Sequence, residues 1–311
     1  MIPCTEFIPS YSELFSFLEE RYGREEVERF WDYLFAPTGD GIPLVNFVKK
    51  EGIRGCYTYW SGTLNEEAAD FTLYLNEKAG WFALVMHRCP SKGMLLELKD
   101  KIGITPYHDY CMHCDHYRAS CEKVGLEYLY NFIGIDKAAC SIYIYDPKVF
   151  KGKMVVDENT EIMDRRASDN EYFHKDFHSS VNMGIDYLGE KYGKEVLTEY
   201  LHIYTEHIYG SVLQSIRDNG LKAIERFIRE KYHKEKAEKI VNTELSENDL
   251  KVEIEYCPAI KHLKDTGREV SKWYVYTTSA VMERLAAECG AKFELKEYDE
   301  DTGASKYIFN K

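Results

Sequence analysis

Residues 125–144, GLEYLYNFIGIDKAACSIYI, align without a gap on residues 290–309, GAKFELKEYDEDTGASKYIF. Each block reads as two extended runs around a polar or glycine-containing turn, which is the pattern of a β-hairpin. Working back from them, three more anchors recur in the same order. HRCP at 87–90 matches EYCP at 255–258, VKKEG at 48–52 matches IRDNG at 216–220, and SFLEERYGRE at 16–25 matches DYLGEKYGKE at 186–195. Ordered anchors at similar separations indicate a tandem duplication of about 145 residues per copy. The boundaries this predicts are a first lobe over 1–146, a linker over 147–170 and a second lobe over 171–311. The stretch DPKVFKGKMVVDENTEIMDRRASDN, polar and charged, has the composition of a linker.

Within each copy the periodicity changes from helical to extended. Leu14, Phe15 and Leu18, then Val27, Phe30, Trp31 and Leu34, recur at helical spacing and predict helices over 11–22 and 25–35. The later counterparts fall at 172–191 and 195–217, followed by LKAIERFIREKY. Gly23 and Gly193 stand where a helix C-terminal glycine belongs. WFALVMHRC and LKVEIEYC are extended and lead into Cys-Pro, so Cys89 and Cys257 are expected at strand-to-helix junctions. The fold class is therefore α+β: two tandem copies of a helical segment followed by a small antiparallel sheet, expected to pack as a pseudo-twofold pair.

Composition restricts the function classes. The net charge is −13 over 311 residues, with no basic cluster, which disfavours nucleic acid and anionic lipid as partners. No apolar run is long enough to span a bilayer. The start, MIPCTEFIPSYSELF, has neither the basic segment nor the apolar run of a signal peptide. Nine cysteines, an odd number, read as free thiols in a reducing compartment, so the expected location is cytoplasmic. No phosphate-binding glycine loop follows a strand, and no nucleotide cofactor is expected.

Chemistry concentrates in YCMHCDHYRASC, residues 110–121. On a helix Cys111, Cys114 and Cys121 share one face, while His113, His116 and Tyr117 lie on the adjoining one. Three readings stay open. A cysteine stripe can be core, because a free thiol packs as a small apolar group. It can hold metal, but structural zinc needs two ligand pairs and the second is missing, so no metal is expected. It can be catalytic, with Cys111 or Cys114 as nucleophile, His113 or His116 as acid/base and Asp115 as orienter, or with Asp115 or a histidine activating water.

A second polar group lies at His174, His178, His202, Glu206 and His207, where HIYTEH misses the zinc motif H-x-x-E-H by one residue. Its plain reading is amphipathic helices with partly exposed histidines; the alternative is a composite site with the cysteines. Tyr200, Tyr204 and Tyr209 suit either core or the wall of a planar ligand's pocket.

The order of helix with Tyr-Gly-basic-Glu, extended segment, Cys-Pro, YCMHCDHY and a hairpin ending AACSIYI resembles the L-2-amino-thiazoline-4-carboxylic acid hydrolase family, most closely over 80–144 and 250–309. The resemblance implies water addition to the C=N carbon of a small sulfur heterocycle, giving a carbamoyl amino acid. It also implies that Cys89, Cys111 or Cys114 with Asp115, and Cys140 belong to the site. The second copy has Tyr276, Thr278, Ser279, Ala280 and Ser305 where the first has Cys111, His113, Cys114, Asp115 and Cys140, and keeps Cys257. The expectation is thus a hydrolase of non-peptide C–N bonds in a small polar heterocycle or amide, worked by the first copy. A small-molecule substrate is its partner, and a homo-oligomer is compatible with it. The rival expectation is a non-catalytic binding protein for a small molecule, metal or metallocofactor.

Overall fold

The computed structural model describes residues 1–35 and 43–311. These divide into two compact units: a first made of Leu18–Lys101 and Thr105–His174, and a second made of Met1–Phe17, Ile102–Ile104 and Lys175–Lys311. The units differ from the expected lobes 1–146 and 171–311 in two respects. Met1–Phe17 and Ile102–Ile104 group with the C-terminal residues, and the whole of the expected linker belongs to the first unit. Helices combine with small antiparallel sheets throughout, so the fold class is α+β. Among the described residues no helix is long and apolar enough to cross a membrane.

The helical part of the first unit runs from the end of α1 (Phe7–Tyr22) through α2 (Arg24–Phe35), α3 (Pro43–Glu51) and α4 (Arg54–Glu66). Gly23, at φ +85°, stops α1 in the left-handed conformation that a side chain would resist. Then follow β1 (Asp70–Asn76), β2 (Trp81–Arg88), α5 (Pro90–Ile102), a 3-10 turn over Tyr110–His116, α6 (Tyr117–Lys123), β3 (Glu127–Asn131), β4 (Cys140–Tyr145) and β5 (Glu161–Arg165). The sheet is antiparallel, in the order β3-β4-β2-β1-β5. The strand β5 comes from the stretch read as a linker; it pairs Glu161–Arg165 with Leu75–Phe71. By doing so it satisfies backbone groups that β1 would otherwise leave open at the sheet edge.

The core lies between this sheet and α4. Trp60 stacks on Phe82, with centroids 5.4 Å apart, among Leu64, Phe71, Leu73, Leu84, Ile142 and Ile144. Tyr59, Cys89, Tyr117, Tyr130 and Cys140 pack against its margin and are only partly buried. Chemistry-bearing side chains therefore sit on a rigid apolar base.

The second unit holds α7 (Phe177–Ile208), α8 (Gly210–Asn219), α9 (Leu221–Lys234), β6 (Val241–Leu245), β7 (Asp249–Ile254), α10 (Pro258–Asp265), α11 (Tyr276–Glu288), β8 (Lys292–Tyr298) and β9 (Ser305–Asn310). Gly193, at φ +85°, breaks the helical path inside α7, so the expected boundary after Tyr192 is a kink. In α9, Leu221, Ile224, Phe227, Ile228 and Tyr232 fall on one face and are buried. β7 alternates buried and exposed residues, as a sheet covered on one face requires.

Strand order in the second unit is β6-β7-β9-β8, which is the first unit's β1-β2-β4-β3 with the same connections. The strand-to-helix junctions agree in detail. The Cys89 N–H donates to the carbonyl of Ala138 and that of Cys257 to Thr302, both in the turn of the closing hairpin. Ala138 and Gly303 in those turns both have positive φ.

Candidate functional site

The sequence YCMHCDHYRASC does not form the single α-helix that its spacing suggests. Residues Tyr110–His116 are a 3-10 turn, and α6 starts only at Tyr117. Side chains compete for the carbonyls: His113 Nδ1 bonds the Tyr110 carbonyl, and the Tyr128 hydroxyl donates to that of Cys114 at 2.7 Å. In a 3-10 turn residues three apart eclipse one another, so Cys111 and Cys114 still share a face. Cys121 does not join them; it is fully buried in the hydrophobic core.

Four thiols meet beside the margin of the core. Cys89, Cys111 and Cys140 are close enough to Cys114 for their charges to act on it. Cys89 opens α5 and accepts the Lys92 N–H at 3.4 Å, while Cys140 opens β4. The Tyr130 hydroxyl bonds into the group from β3. Burial, reinforced by like-charge neighbours, pushes every one of these thiols up: Cys89 to about 12, Cys140 to about 11 and Cys114 well above the ordinary range. At neutral pH they are thiols, not thiolates. Cys111 is also raised by burial, with the nearby Lys92 cation opposing the rise.

His113 supplies what a neutral thiol needs. A carbonyl oxygen can only accept, so its bond with Nδ1 places the ring proton there. Burial lowers this imidazole to about 4, so the ring is neutral at physiological pH. Nε2 is then left with its lone pair, and it lies 3.6 Å from Cys114 Sγ. The result is a thiol–imidazole dyad with a fixed tautomer.

Glu67 is the residue that sequence reasoning missed. It follows α4 in the stretch NEEAAD, where nothing distinguishes it from a solvated acid. Burial, with Glu66 adding like charge, lifts its carboxyl to about 8. It acts on both Cys89 and Tyr117, and the Tyr117 hydroxyl lies 3.0 Å from that of Tyr59. Glu67, Cys89, His113, Cys114, Tyr117, Tyr130 and Cys140 are all half-buried. These groups are desolvated yet still touch solvent, which sets them apart from the fully buried core beneath them.

Asp115 and His116, expected at the site, point elsewhere. Asp115 accepts from Arg118 at 2.6 Å, so a guanidinium takes the carboxylate meant to orient an imidazole. His116 packs edge-on against Trp31 and pairs with Asp32 at 3.2 Å. The histidines of the second polar group also separate. His174 precedes α7 and bonds Glu66 in the first unit, and His178 bonds Glu235 in the second. His207 pairs with Glu13, and Glu206 with Arg284. Tyr200, Tyr204 and Tyr209 are core residues whose hydroxyls bond Ser10, each other and Glu6.

Among the described residues, the metal-type donors that lie within 4.8 Å of one another as a group of three or more are Cys4, His178 and Glu235. Cys114 and the three thiols around it are not such a group. No family model, curated protein or solved structure matches the chain.

Proposed function

We propose that the first unit is a hydrolase for a small, polar, nitrogen-containing heterocycle or amide, of the thiazoline-carboxylate type. The observation that carries this reading is the Cys114–His113 pair, in which the tautomer fixed by the Tyr110 carbonyl makes Nε2 the acceptor that faces the thiol. Cys114 Sγ attacks the substrate's C=N carbon while its proton passes to His113 Nε2. Protonated Glu67 is a second proton source, since a carboxyl at about 8 holds its proton at neutral pH. For a 2-amino-thiazoline, the ring C–S bond then breaks and the departing sulfur takes a proton. The substrate carbon remains on Cys114 as an isothiourea. Water adds to that carbon, the Cys114 thiol leaves with its proton restored, and the product is a carbamoyl amino acid. Lys92, close enough to act on Cys111, is the nearby cation for a substrate carboxylate.

The same cluster supports a second reading as a non-catalytic small-molecule site, favoured by the thiols' high pKa values, which leave them unreactive without a base. Turnover separates the two. Wild-type protein incubated with 2-amino-thiazoline-4-carboxylate should release a carbamoyl amino acid, and Cys114→Ala should lower the rate by about a hundredfold or more. Saturable binding without product by folded wild-type protein favours the second reading.

A further inference from the structure

The second unit contains a buried donor set that the proposed hydrolysis does not use. Cys4 comes from a short 3-10 turn at the N-terminus, His178 from the first turn of α7 and Glu235 from the C-terminal cap of α9. Three distant stretches of chain thus bring a sulfur, a nitrogen and an oxygen donor within 4.8 Å of one another. The residues are 0%, 1% and 5% exposed, respectively. Glu235 sits between the other two, accepting the Cys4 backbone N–H at 2.6 Å on Oε1 and contacting His178 Nε2 at 3.1 Å through Oε2.

This is not the geometry of a thiol–imidazole–carboxylate relay, in which the imidazole stands between the other two groups. Here the carboxylate is central, and the thiol and the imidazole flank it. Two further polar atoms are left over. Among the described residues, His178 Nδ1 and the Tyr274 hydroxyl are buried without a hydrogen-bond partner. Tyr274, 2% exposed, is close enough to Cys4 and Glu235 for charge to act between them. An imidazole with an unused Nδ1 can carry its proton there and turn Nε2 into a lone-pair donor, giving up only the bond to Glu235. The unpartnered phenol is placed to hydrogen-bond a thiolate or a water beside it.

We propose that Cys4, His178 and Glu235 form a zinc(II)-class metal site. A sulfur, nitrogen and oxygen donor set suits a borderline-soft divalent cation, and three protein ligands leave a fourth position for water. Binding replaces the Cys4 thiol proton, which is released to solvent, and the carboxylate shifts from the imidazole N–H to the ion. This proposal is independent of the hydrolase reading, because the two sites share no residue.

The test uses cobalt(II), which reports thiolate ligation by a sulfur-to-metal charge-transfer band. Full-length, chelator-treated protein titrated with cobalt should show this band, saturating at one equivalent, and added zinc should abolish it. Cys4→Ser, a near-isosteric change, should lose the band and weaken zinc binding by more than about a hundredfold, beyond the effect of altering an outer-shell partner. Glu235→Gln provides a second variant should the first fail to fold, and it should weaken binding with the band retained at high cobalt. Cys114→Ala should keep the band. Absence of a saturable band in wild-type protein, or a band that survives in folded Cys4→Ser and disappears in Cys114→Ala, would overturn the assignment.

Discussion

His113 Nε2 lies 3.6 Å from Cys114 Sγ, and Nδ1 of the same ring is bonded to the Tyr110 carbonyl. Neighbours in sequence seldom act on one another on an α-helix, where their side chains diverge. They do so here because the 3-10 turn and the carbonyl bond swing the ring toward the thiol. Replacing His113 with Gln should therefore reduce turnover by about a hundredfold while leaving substrate binding within a few-fold, the signature of a lost general base. Steady-state kinetics with separate kcat and KM values checks this.

Asp115 should matter little. It is half-buried and held by Arg118, so Asp115→Asn removes a partly exposed ion pair worth about 1 kcal/mol or less. Turnover should stay within a few-fold of wild type, and a loss comparable to that of Cys114→Ala would return Asp115 to the site.

Two desolvated, half-buried groups make stability depend on pH in opposite directions. Glu67 holds its proton to about 8, whereas an unfolded glutamate loses it near 4.5. Between these values the native state binds more protons than the unfolded one, so its stability falls as pH rises from 4.5 to 8. His113 is neutral down to about 4 against 6.5 when unfolded, so it lowers stability as pH falls from 6.5 to 4. Glu67→Gln should flatten the alkaline slope and gain about 2–4 kcal/mol at pH 8 relative to pH 5, with His113→Gln flattening the acid slope. Denaturant unfolding across pH measures both. Unchanged slopes in the variants would mean that neither group is desolvated as described.

Gly303 tests the strand-to-helix junction of the second unit. Its φ is +69°, and a Cβ there would come within 2.4 Å of the Cys257 Cβ and 2.8 Å of Ile260 Cδ1. Gly303→Ala combines left-handed strain with overpacking and should cost about 2–4 kcal/mol. Gly267, also left-handed but with nothing within 4 Å, should cost less on the same substitution. Thermal or urea melts of the two variants provide the comparison.

The α+β class and the strand-to-helix junctions at Cys89 and Cys257 were legible because hydrophobic period and Cys-Pro are local signals. The strand β5 was not. Its residues are mostly exposed and charged, and its pairing with β1 depends on an edge that only the folded sheet presents. The site divides along the same line. Cys89, Cys111, His113 and Cys114 stand out by residue type and come together in the fold. Asp115 and His116 stood out equally, but Arg118 and the Trp31–Asp32 corner claim them. Glu67, Cys4 and Glu235 carry no local pattern at all, and His178, which stood out beside His174, finds its partners elsewhere in the chain. Their chemistry comes from burial and from contacts across the chain, which spacing does not encode.

The most direct test of the central claim is the mass of the protein during turnover. Wild-type protein mixed with excess 2-amino-thiazoline-4-carboxylate and quenched in acid within one turnover should carry one substrate-derived adduct, located on the Cys114 peptide. Cys114→Ala should carry none and release no carbamoyl amino acid. Folded Cys114→Ala that turns over at the wild-type rate, or an adduct found on another cysteine and unchanged in that variant, would contradict the role of the His113–Cys114 pair.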